Sequence, residues 1–227
     1  MILELTNITR FYQPAGPETR RTVLDDISLS VNAGDSIAIT GPSGSGKSTL
    51  LNIMGTLDQA DSGSVIFMGE EINLLKEPEL ASIRNTKIGF VFQLHYLLPQ
   101  LTLIENVLLP VVAQKDQAVM QAAETRGREL LESVGLADKI NRYPGQLSVG
   151  ECQRAAVIRA LINKPLLLLA DEPTGSLDHK SAQTLSELLC EINIKFSIAL
   201  IMVTHSEEIS KLMKLQYQID NGKLIKK

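Results

Sequence analysis

The sequence has little cysteine, no excess of positive charge and no long apolar run. Its 227 residues include two cysteines, Cys152 and Cys190, which are too few for a disulfide framework and lack the close His or Cys neighbours of a zinc site. The formal net charge of -4 leaves no overall basic field for nucleic acid or anionic lipid. The longest apolar stretches, residues 166–170 and 198–203, fall far short of the ~20 residues that a membrane-spanning helix needs. We therefore expect reduced cysteines, no nucleic-acid partner, and membrane contact only through another protein.

The chain is long enough to bury one sizeable core, because 44% of its residues are hydrophobic. We expect a single domain over residues 1–227. Its first residues, MILELTNITRFY, lack the basic start and long apolar run of a secretory signal, so we do not expect export.

Short apolar runs alternate with longer amphipathic segments, which is typical of α/β units around a mostly parallel sheet. The pattern predicts strands at residues 3–8, 27–31, 36–40, 63–68, 88–92, 166–170, 198–203 and 215–219. It predicts helices at residues 47–54, 78–84, 103–112, 118–134, 150–162, 178–194 and 207–213. The first strands read as antiparallel, and residues 94–163 read as a helical subdomain inserted into the α/β core.

A glycine-rich loop, GPSGSGKST, connects the predicted strand 36–40 to the predicted helix 47–54. Glycines let successive backbone N–H groups point inward, and the helix N-terminus adds partial positive charge, so the loop predicts a triphosphate site. Lys47 would reach the β- and γ-phosphates, and the Ser48 hydroxyl would bind Mg²⁺. The loop alone does not separate kinases, GTPases and other ATPases. The nucleotide-binding residues predicted from the loop are Gly41, Pro42, Ser43, Gly44, Ser45, Gly46, Lys47, Ser48 and Thr49.

Two carboxylates follow the apolar run LLLLA, which is typical of a central strand covered on both faces. The carboxyl end of such a strand lies at the same sheet edge as the phosphate loop. We expect Asp171 beside Mg²⁺ and Glu172 as the general base for the attacking water. The alternative is that both acids merely cap the segment after Pro173.

A third motif, LSVGE, precedes the predicted helix 150–162. Ser148 and Gly150 would therefore stand at a helix N-terminus, where an anion can bind. The alternative is an ordinary serine N-cap.

Taken in order, GPSGSGKST, Gln93 after IGFVF, LSVGE, LLLLADEP, SLD and VTH resemble the ATP-binding cassette of ABC transporters over nearly the whole chain. The resemblance implies a phosphate-loop NTPase core of the RecA type with an antiparallel β subdomain and an inserted α-helical subdomain. It also implies an ATPase that uses ATP and Mg²⁺.

The resemblance assigns further roles. Gln93 is similar to the glutamine that contacts Mg²⁺ and the water, His205 to the switch histidine on the γ-phosphate, and Asp178 to the loop joining two active sites. Tyr12 is similar to the aromatic residue that stacks on adenine. Ser148, Val149, Gly150 and Glu151 would close over the nucleotide of a second copy, so the resemblance implies a homodimer in the ATP-bound state. His95 and His179 are not expected to be ligands.

The motif departs from the family pattern at Val149, where the family usually has glycine. A β-branched residue is disfavoured if the position needs positive φ or a close backbone approach. We therefore expect low turnover, and we expect Val149→Gly to preserve or raise it.

The segment FQLHYLLPQLTLIENVLLP is similar to the corresponding region of lipoprotein-releasing ATPases and macrolide exporters. The insert at residues 14–21 fits the same subfamily, although Ser176 replaces its commoner Asn. The resemblance implies integral inner-membrane partner subunits and a peripheral position on the cytoplasmic face. His95, Tyr96, Leu97 and Leu98 would line the groove for the partner's cytoplasmic helix, or Leu97 and Leu98 would be core residues. Within that group the resemblance is greatest to the lipoprotein-releasing subunit, so it implies an ATPase that powers lipoprotein release from the inner membrane by ATP-driven dimer closure. The alternative functions are a macrolide or peptide exporter, a division-associated regulator, and a soluble protein acting on ribosomes or DNA.

Overall fold

The computed structural model describes residues 1–12, 21–112 and 116–227. Within these ranges the strands are Leu3–Tyr12 (β1), Arg21–Val31 (β2), Ser36–Thr40 (β3), Ser62–Phe67 (β4), Glu70–Glu71 (β5), Ile88–Phe92 (β6), Leu167–Asp171 (β7), Ala199–Val203 (β8), Leu215–Asp220 (β9) and Lys223–Lys226 (β10). The α-helices are Lys47–Met54 (α1), Glu77–Lys87 (α2), Leu103–Val112 (α3), Gln117–Ser133 (α4), Val149–Leu161 (α5), His179–Phe196 (α6) and Glu207–Ser210 (α7).

The larger sheet has six strands in the order β10-β9-β3-β8-β7-β6, and only the β9–β10 pair is antiparallel. Every residue of β3 and β8 is buried, since their near-continuous apolar sequences are covered on both faces. In the register, Val203 lies opposite Ile39 on one side and Asp171 on the other, and Asp171 lies opposite Phe92. The segments that follow four neighbouring strands therefore begin at one edge of the sheet.

The smaller sheet has four antiparallel strands in the order β2-β1-β4-β5. Strands β1 and β2 are longer than their apolar patterns predict, because their pairing continues from Ile8 opposite Ile27 to Tyr12 opposite Arg21. This extension carries Tyr12 well past the predicted strand end at residue 8. Of the predicted insert at residues 14–21, all but Arg21 lies outside the described residues.

Helices α3, α4 and α5 pack together around an apolar cluster that includes Leu103, Leu131 and Val157. Leu97 is 6% exposed and belongs to this cluster, whereas Tyr96 and Leu98 are 61% and 39% exposed. Leu97 is thus a core residue, which is the alternative that the sequence left open for it.

One predicted helix end was wrong, and two strands were not predicted. Helix α7 ends at Ser210 rather than at residue 213, because short turns follow it before β9. Strand β10 was not predicted, although Asn221 and Gly222 adopt positive φ in the tight turn that joins it to β9. The two-residue strand β5 is too short to give a periodic signal.

Candidate active site

The phosphate loop leaves β3 and enters α1 through glycines in conformations that other residues rarely adopt. Gly41 has φ 150°, and a Cβ there would lie 2.6 Å from the Ile219 carbonyl oxygen. Gly46 has φ 103°, and a Cβ there would lie 2.8 Å from the Val23 carbonyl oxygen. A side chain at either position would collide with backbone, so the close turn of this loop requires glycine.

The N-terminus of α1 has no side-chain cap. Gly46 occupies the cap position, no side-chain oxygen accepts a hydrogen bond from the helix there, and the first turn contains no acidic residue. The first N–H groups of the helix and its dipole are therefore available to an anion.

Lys47 is buried, with 5% of its surface exposed, and its ammonium group is held close to the loop. Nζ donates to the carbonyl oxygens of Gly41 and Pro42, at 2.9 Å each. Burial lowers the pKa of Lys47, and the charges of Glu172 and Asp171 oppose that shift. Phosphate oxygens of a ligand can therefore replace the Gly41 and Pro42 carbonyl oxygens as the hydrogen-bond acceptors of the Lys47 ammonium group.

Ser48 and Asp171 meet where α1 begins and β7 ends. The Ser48 hydroxyl donates to Asp171 Oδ1 at 3.1 Å. A hydroxyl and a carboxylate next to a phosphate site are the hard oxygen donors that Mg²⁺ prefers, so this pair fits the predicted ion.

Glu172 contacts His205 directly, with 2.5 Å between Glu172 Oε1 and His205 Nε2. Glu172 has φ 46°, an unusual conformation for a residue with a side chain, and its N–H donates to the Val203 carbonyl oxygen at 3.0 Å. This hydrogen bond ties the backbone of Glu172 to the end of β8 and helps to hold its unusual conformation. The Glu172 carboxylate faces the segment that carries His205.

A cavity of about 490 Å³ brings many of the predicted residues together. Its described lining is Tyr12, Arg21, Val23, Ser43, Gly44, Gly46, Lys47, Ser48, Thr49, Glu172 and His205. The sequence did not predict Arg21 or Val23, which β2 contributes because its pairing with β1 runs past the predicted strand. The cavity combines a phosphate loop, an aromatic side chain and a carboxylate–imidazole pair.

Gln93 does not line this cavity. Its side chain packs against Gly175, and the Ser176 hydroxyl donates to the Gln93 carbonyl oxygen at 3.0 Å. Gln93 instead lines a neighbouring cavity of about 360 Å³, which shares Glu172 and His205 with the first. Its contact with Mg²⁺ stays a prediction.

The LSVGE motif also lies outside the 490 Å³ cavity, and its polar groups are bonded within the chain. Ser148 caps α5 by accepting from the Glu151 N–H at 3.3 Å, and Glu151 Oε2 accepts from the Ser148 N–H at 2.8 Å. Lys139 pairs with the other carboxylate oxygen of Glu151. The hydrogen bonds from Lys139 and from the Ser148 backbone hold the pKa of Glu151 at about 2.

Val149 is the first residue of α5, does not have positive φ, and is 51% exposed. The concern that valine is forced into a left-handed conformation is therefore wrong, because this position is helical. The concern about close backbone approach remains a prediction. Asp178 likewise lies outside the 490 Å³ cavity, where it caps α6 by accepting from the Ser181 N–H at 3.0 Å.

Helix α5 holds the Gln93 segment from the side. Gln153 Nε2 donates to the Phe92 carbonyl oxygen at 2.6 Å. Farther along the helix, Arg159 donates to the carbonyl oxygens of His95 and Tyr96, at 2.7 Å each. One helix therefore carries the LSVGE motif at its start and the support of the Gln93 segment along its length.

Neither remaining histidine was predicted to be a ligand. His95 Nδ1 accepts from the Leu97 N–H at 3.1 Å, and burial followed by the charge of Arg159 lowers its pKa. His179 is highly exposed and lies 3.3 Å from Glu208.

A family profile described as "ABC transporter" matches residues 24–175, which is more than half of the chain. This chain belongs to the ABC transporter family. The predicted fold, an ATP-binding cassette with a phosphate-loop core, is confirmed, and so is the prediction of an ATPase of this family.

Curated relatives of this cassette share its full length. It is 46% identical to the lipoprotein-releasing system ATP-binding protein LolD of Geobacter metallireducens, over 99% of this chain and 98% of the relative. It is 43% identical to LolD of Psychrobacter arcticus, over 97% of this chain and 96% of the relative. The cassette is thus similar to lipoprotein-releasing proteins from end to end.

Solved structures agree with the fold. The dimeric bacterial ABC transporter cassette MJ0796 superposes with a TM-score of 0.86 at 36% identity, covering 98% of this chain and 96% of that one. A dimeric post-hydrolysis state of MJ0796 bound to ADP and Pi gives a TM-score of 0.85 at 35% identity, with the same coverage.

Proposed function

We propose that this cassette is the ATP-hydrolysing subunit of an ABC system that releases lipoproteins from the inner membrane. The observation that carries the proposal is the 490 Å³ cavity, whose lining includes Lys47, Ser48, Glu172 and His205 together with Tyr12. The end-to-end similarity to LolD proteins supports the assignment of cargo class.

In this proposal the γ-phosphate is transferred to water by in-line attack. The N–H groups at the start of α1 and the Lys47 ammonium bind the phosphates, with the ammonium moving from the carbonyl oxygens of Gly41 and Pro42. Glu172 accepts hydrogen bonds from the water and orients it as general base. His205 leaves Glu172 and donates to the γ-phosphate. Glu172 then bonds to the water, and His205 bonds to the phosphate.

Mg²⁺ would be held by Ser48 and Asp171, with Gln93 joining after a rearrangement. When bound, the ion supplies charge that neutralises the phosphate oxygens. The Ser48–Asp171 hydrogen bond supports this assignment, because it already places a hydroxyl and a carboxylate oxygen 3.1 Å apart.

The active form is a homodimer. The cavity has no contribution from Ser148, Val149, Gly150, Glu151 or Asp178 among the described residues of the same chain. A second copy would bring its LSVGE motif over the nucleotide, and the Ser148 hydroxyl would then donate to a phosphate oxygen while its oxygen still accepts from the Glu151 N–H. Both MJ0796 structures are dimers, which supports this arrangement.

Glu172→Gln tests the site and the dimer together. The variant keeps the size of the side chain but cannot accept a proton, so it should bind Mg-ATP and form a stable dimer with turnover reduced by roughly 10²–10⁴-fold. Size-exclusion chromatography in Mg-ATP and a phosphate-release assay measure the two effects. Rapid hydrolysis by Glu172→Gln would remove Glu172 from the role of base.

Membrane subunits would dock in a groove of about 400 Å³ between the core and the helices α3 and α5. Its lining includes Phe90 and Phe92, whose stacked ring centroids lie 5.8 Å apart, together with Arg84 and Arg159. A groove with apolar side chains fits the apolar face of an amphipathic helix. No helix among the described residues has both the length and the apolar character to cross a bilayer.

In the proposal, a membrane subunit bound in this groove holds the cassette peripherally on the cytoplasmic face.

Affinity purification from membranes tests the partner. We expect the wild-type cassette to retain integral inner-membrane subunits with large periplasmic domains, and Leu57→Asp, at a groove residue that is 50% exposed, to lose them while keeping its basal ATPase rate. Recovery of a division protein or of a macrolide-export subunit instead would end the lipoprotein-release assignment. Stimulation of hydrolysis by RNA or DNA would redirect it to a soluble role.

A further inference from the structure

The ring of Tyr12 is one wall of the 490 Å³ cavity and is anchored through its hydroxyl group. That hydroxyl donates to Asp58 Oδ2 at 3.2 Å and lies 3.4 Å from Thr49 Oγ1. Thr49 belongs to α1, and Asp58 follows that helix. The outer edge of the ring is therefore fixed relative to the same helix whose N-terminus forms the phosphate site.

Arg10 contacts the face of the same ring. Its guanidinium carbon lies 5.3 Å from the ring centroid of Tyr12, within the range of a cation–π interaction. Alternate residues of a strand point to the same face, so the side chains of Arg10 and Tyr12 on β1 lie next to each other.

Two carboxylates hold the guanidinium in place. Arg10 Nη2 lies 2.8 Å from Asp58 Oδ1, and Nη1 lies 3.3 Å from Asp61 Oδ2. Burial disfavours the charge, but Asp58 and Asp61 outweigh burial and raise the pKa of Arg10. The arginine is 22% exposed at its side chain, so its position is set by these partners rather than by solvent.

Asp58 joins the two side chains, because one of its oxygens pairs with Arg10 and the other accepts from Tyr12. The ring is thus held by its hydroxyl and by one face. A cation on one face leaves the opposite face for a flat ligand, and a ring that is already ordered loses less freedom when the ligand binds.

We propose that Arg10 is a positioning residue, which holds Tyr12 through Asp58 in the orientation that stacks on adenine. The inference rests on the proposed function and on the adenine contact that the family resemblance implies for Tyr12. If Arg10 only attached β1 to the segment after α1, its loss would lower the stability of the fold. It would not weaken the binding of the base separately from the binding of the phosphates.

Two ligands separate these roles. Isothermal titration of the full chain in Mg²⁺ gives Kd for ATP and for inorganic tripolyphosphate, which has phosphates but no base. Arg10→Met should weaken ATP about three- to tenfold and leave tripolyphosphate unchanged. Arg128→Met is the matched control, since Arg128 pairs with Glu124 on the exposed face of α4, and it should change neither value.

Further variants define the linkage. Tyr12→Phe keeps the ring and removes the hydroxyl, so it should weaken ATP less than Tyr12→Ala does. Arg10→Met added to Tyr12→Ala should cause no further loss, because the ring that Arg10 holds is gone. If Arg10→Met unfolds, Asp58→Asn replaces it, and that variant should also weaken ATP selectively.

The two hypotheses fail in different ways. Unchanged ATP affinity in Tyr12→Ala would remove the adenine role from the proposed function. A weakened Tyr12→Ala together with an unchanged Arg10→Met, or an equal loss for ATP and tripolyphosphate, would overturn the positioning role of Arg10. A further loss in the double variant would overturn it as well.

Discussion

The N-termini of α1 and α5 differ in how their backbone N–H groups are satisfied. The N-cap residue of α1 is Gly46, which has no side chain to bond the helix N–H groups, and the first turn contains no acidic residue. Helix α5 begins at Ser148, which forms a reciprocal capping box with Glu151, and Lys139 pairs with that glutamate. Both ends were predicted to meet a phosphate.

The difference concerns what each end can offer a phosphate. At α1 no side chain bonds the first N–H groups, so they can bind an anion directly. At α5 the Glu151 N–H is bonded to Ser148 Oγ, so the end is capped within one subunit, and the Ser148 O–H can still donate to a phosphate oxygen. In the proposed function the α1 end binds the nucleotide and the α5 end closes over it, and four experiments can break or sharpen this comparison.

Lys47→Met should have the largest effect, because it removes the cation at the α1 end. Charge-assisted hydrogen bonds contribute about 1.5–3 kcal/mol, so Mg-ATP should bind roughly ten- to a hundredfold more weakly by titration. Lys223→Met is the control, since that exposed lysine on β10 pairs loosely with Asp25 at 3.8 Å. Equal losses in both variants would mean that Lys47 does not contact the phosphates.

Ser148→Ala should separate capping from phosphate binding at the α5 end. Loss of an N-cap costs about 1 kcal/mol of unfolding free energy, measured by urea titration. Asp116→Ala removes the comparable cap of α4 and should cost about the same. Only Ser148→Ala should also weaken the Mg-ATP dimer formed in the Glu172→Gln background, by about tenfold. If the stability of the Mg-ATP dimer does not change, Ser148 caps α5 and does not bind the phosphate.

Val149→Gly should have a smaller effect on turnover. The side chain is half-exposed at the first position of α5, so its removal opens the surface that would face a second copy. We expect the ATPase rate to be preserved or raised by a few-fold, because glycine at a helix start costs only a few tenths of a kcal/mol. A large loss in the phosphate-release assay would contradict the assigned position.

Glu151→Gln should change only how stability depends on pH. The folded pKa of about 2 lies below the ordinary value of 4.5, so the carboxylate stabilises the fold above pH 4.5 and loses that contribution as pH falls toward 2. Glutamine keeps the capping geometry but does not titrate. The urea midpoint should therefore fall less between pH 5 and pH 3 in the variant than in the wild type. Equal slopes would show that the Lys139 pair contributes nothing to the fold.

Local sequence was sufficient for the phosphate loop and for the acids after β7. Glycine spacing between a strand and a helix specifies the loop, and an apolar run that ends in two carboxylates specifies the sheet edge. Each of these motifs is a short continuous stretch, GPSGSGKST at residues 41–49 and LLLLADE at residues 166–172, so each can be recognised without tertiary contacts.

Contacts over long sequence separations could not be predicted in the same way. Arg10 and Asp58 are 48 residues apart, and no spacing rule indicates that both would contact Tyr12. Leu97 and Leu98 are adjacent and chemically identical, yet only Leu97 is buried, because the packing of α3 to α5 decides which one faces inward.

Helix α5 also sets a mechanical relation between distant parts of the cassette. Its 13 residues span ~20 Å, and Arg159 near one end lines the proposed docking groove while Ser148 stands at the other. A rigid helix would convert a tilt of about 10° at the groove into a displacement of roughly 3 Å at Ser148. A shift of that size exceeds the tolerance of a hydrogen bond, so in the proposed function a small rotation imposed by a docked membrane subunit would be enough to engage or release Ser148.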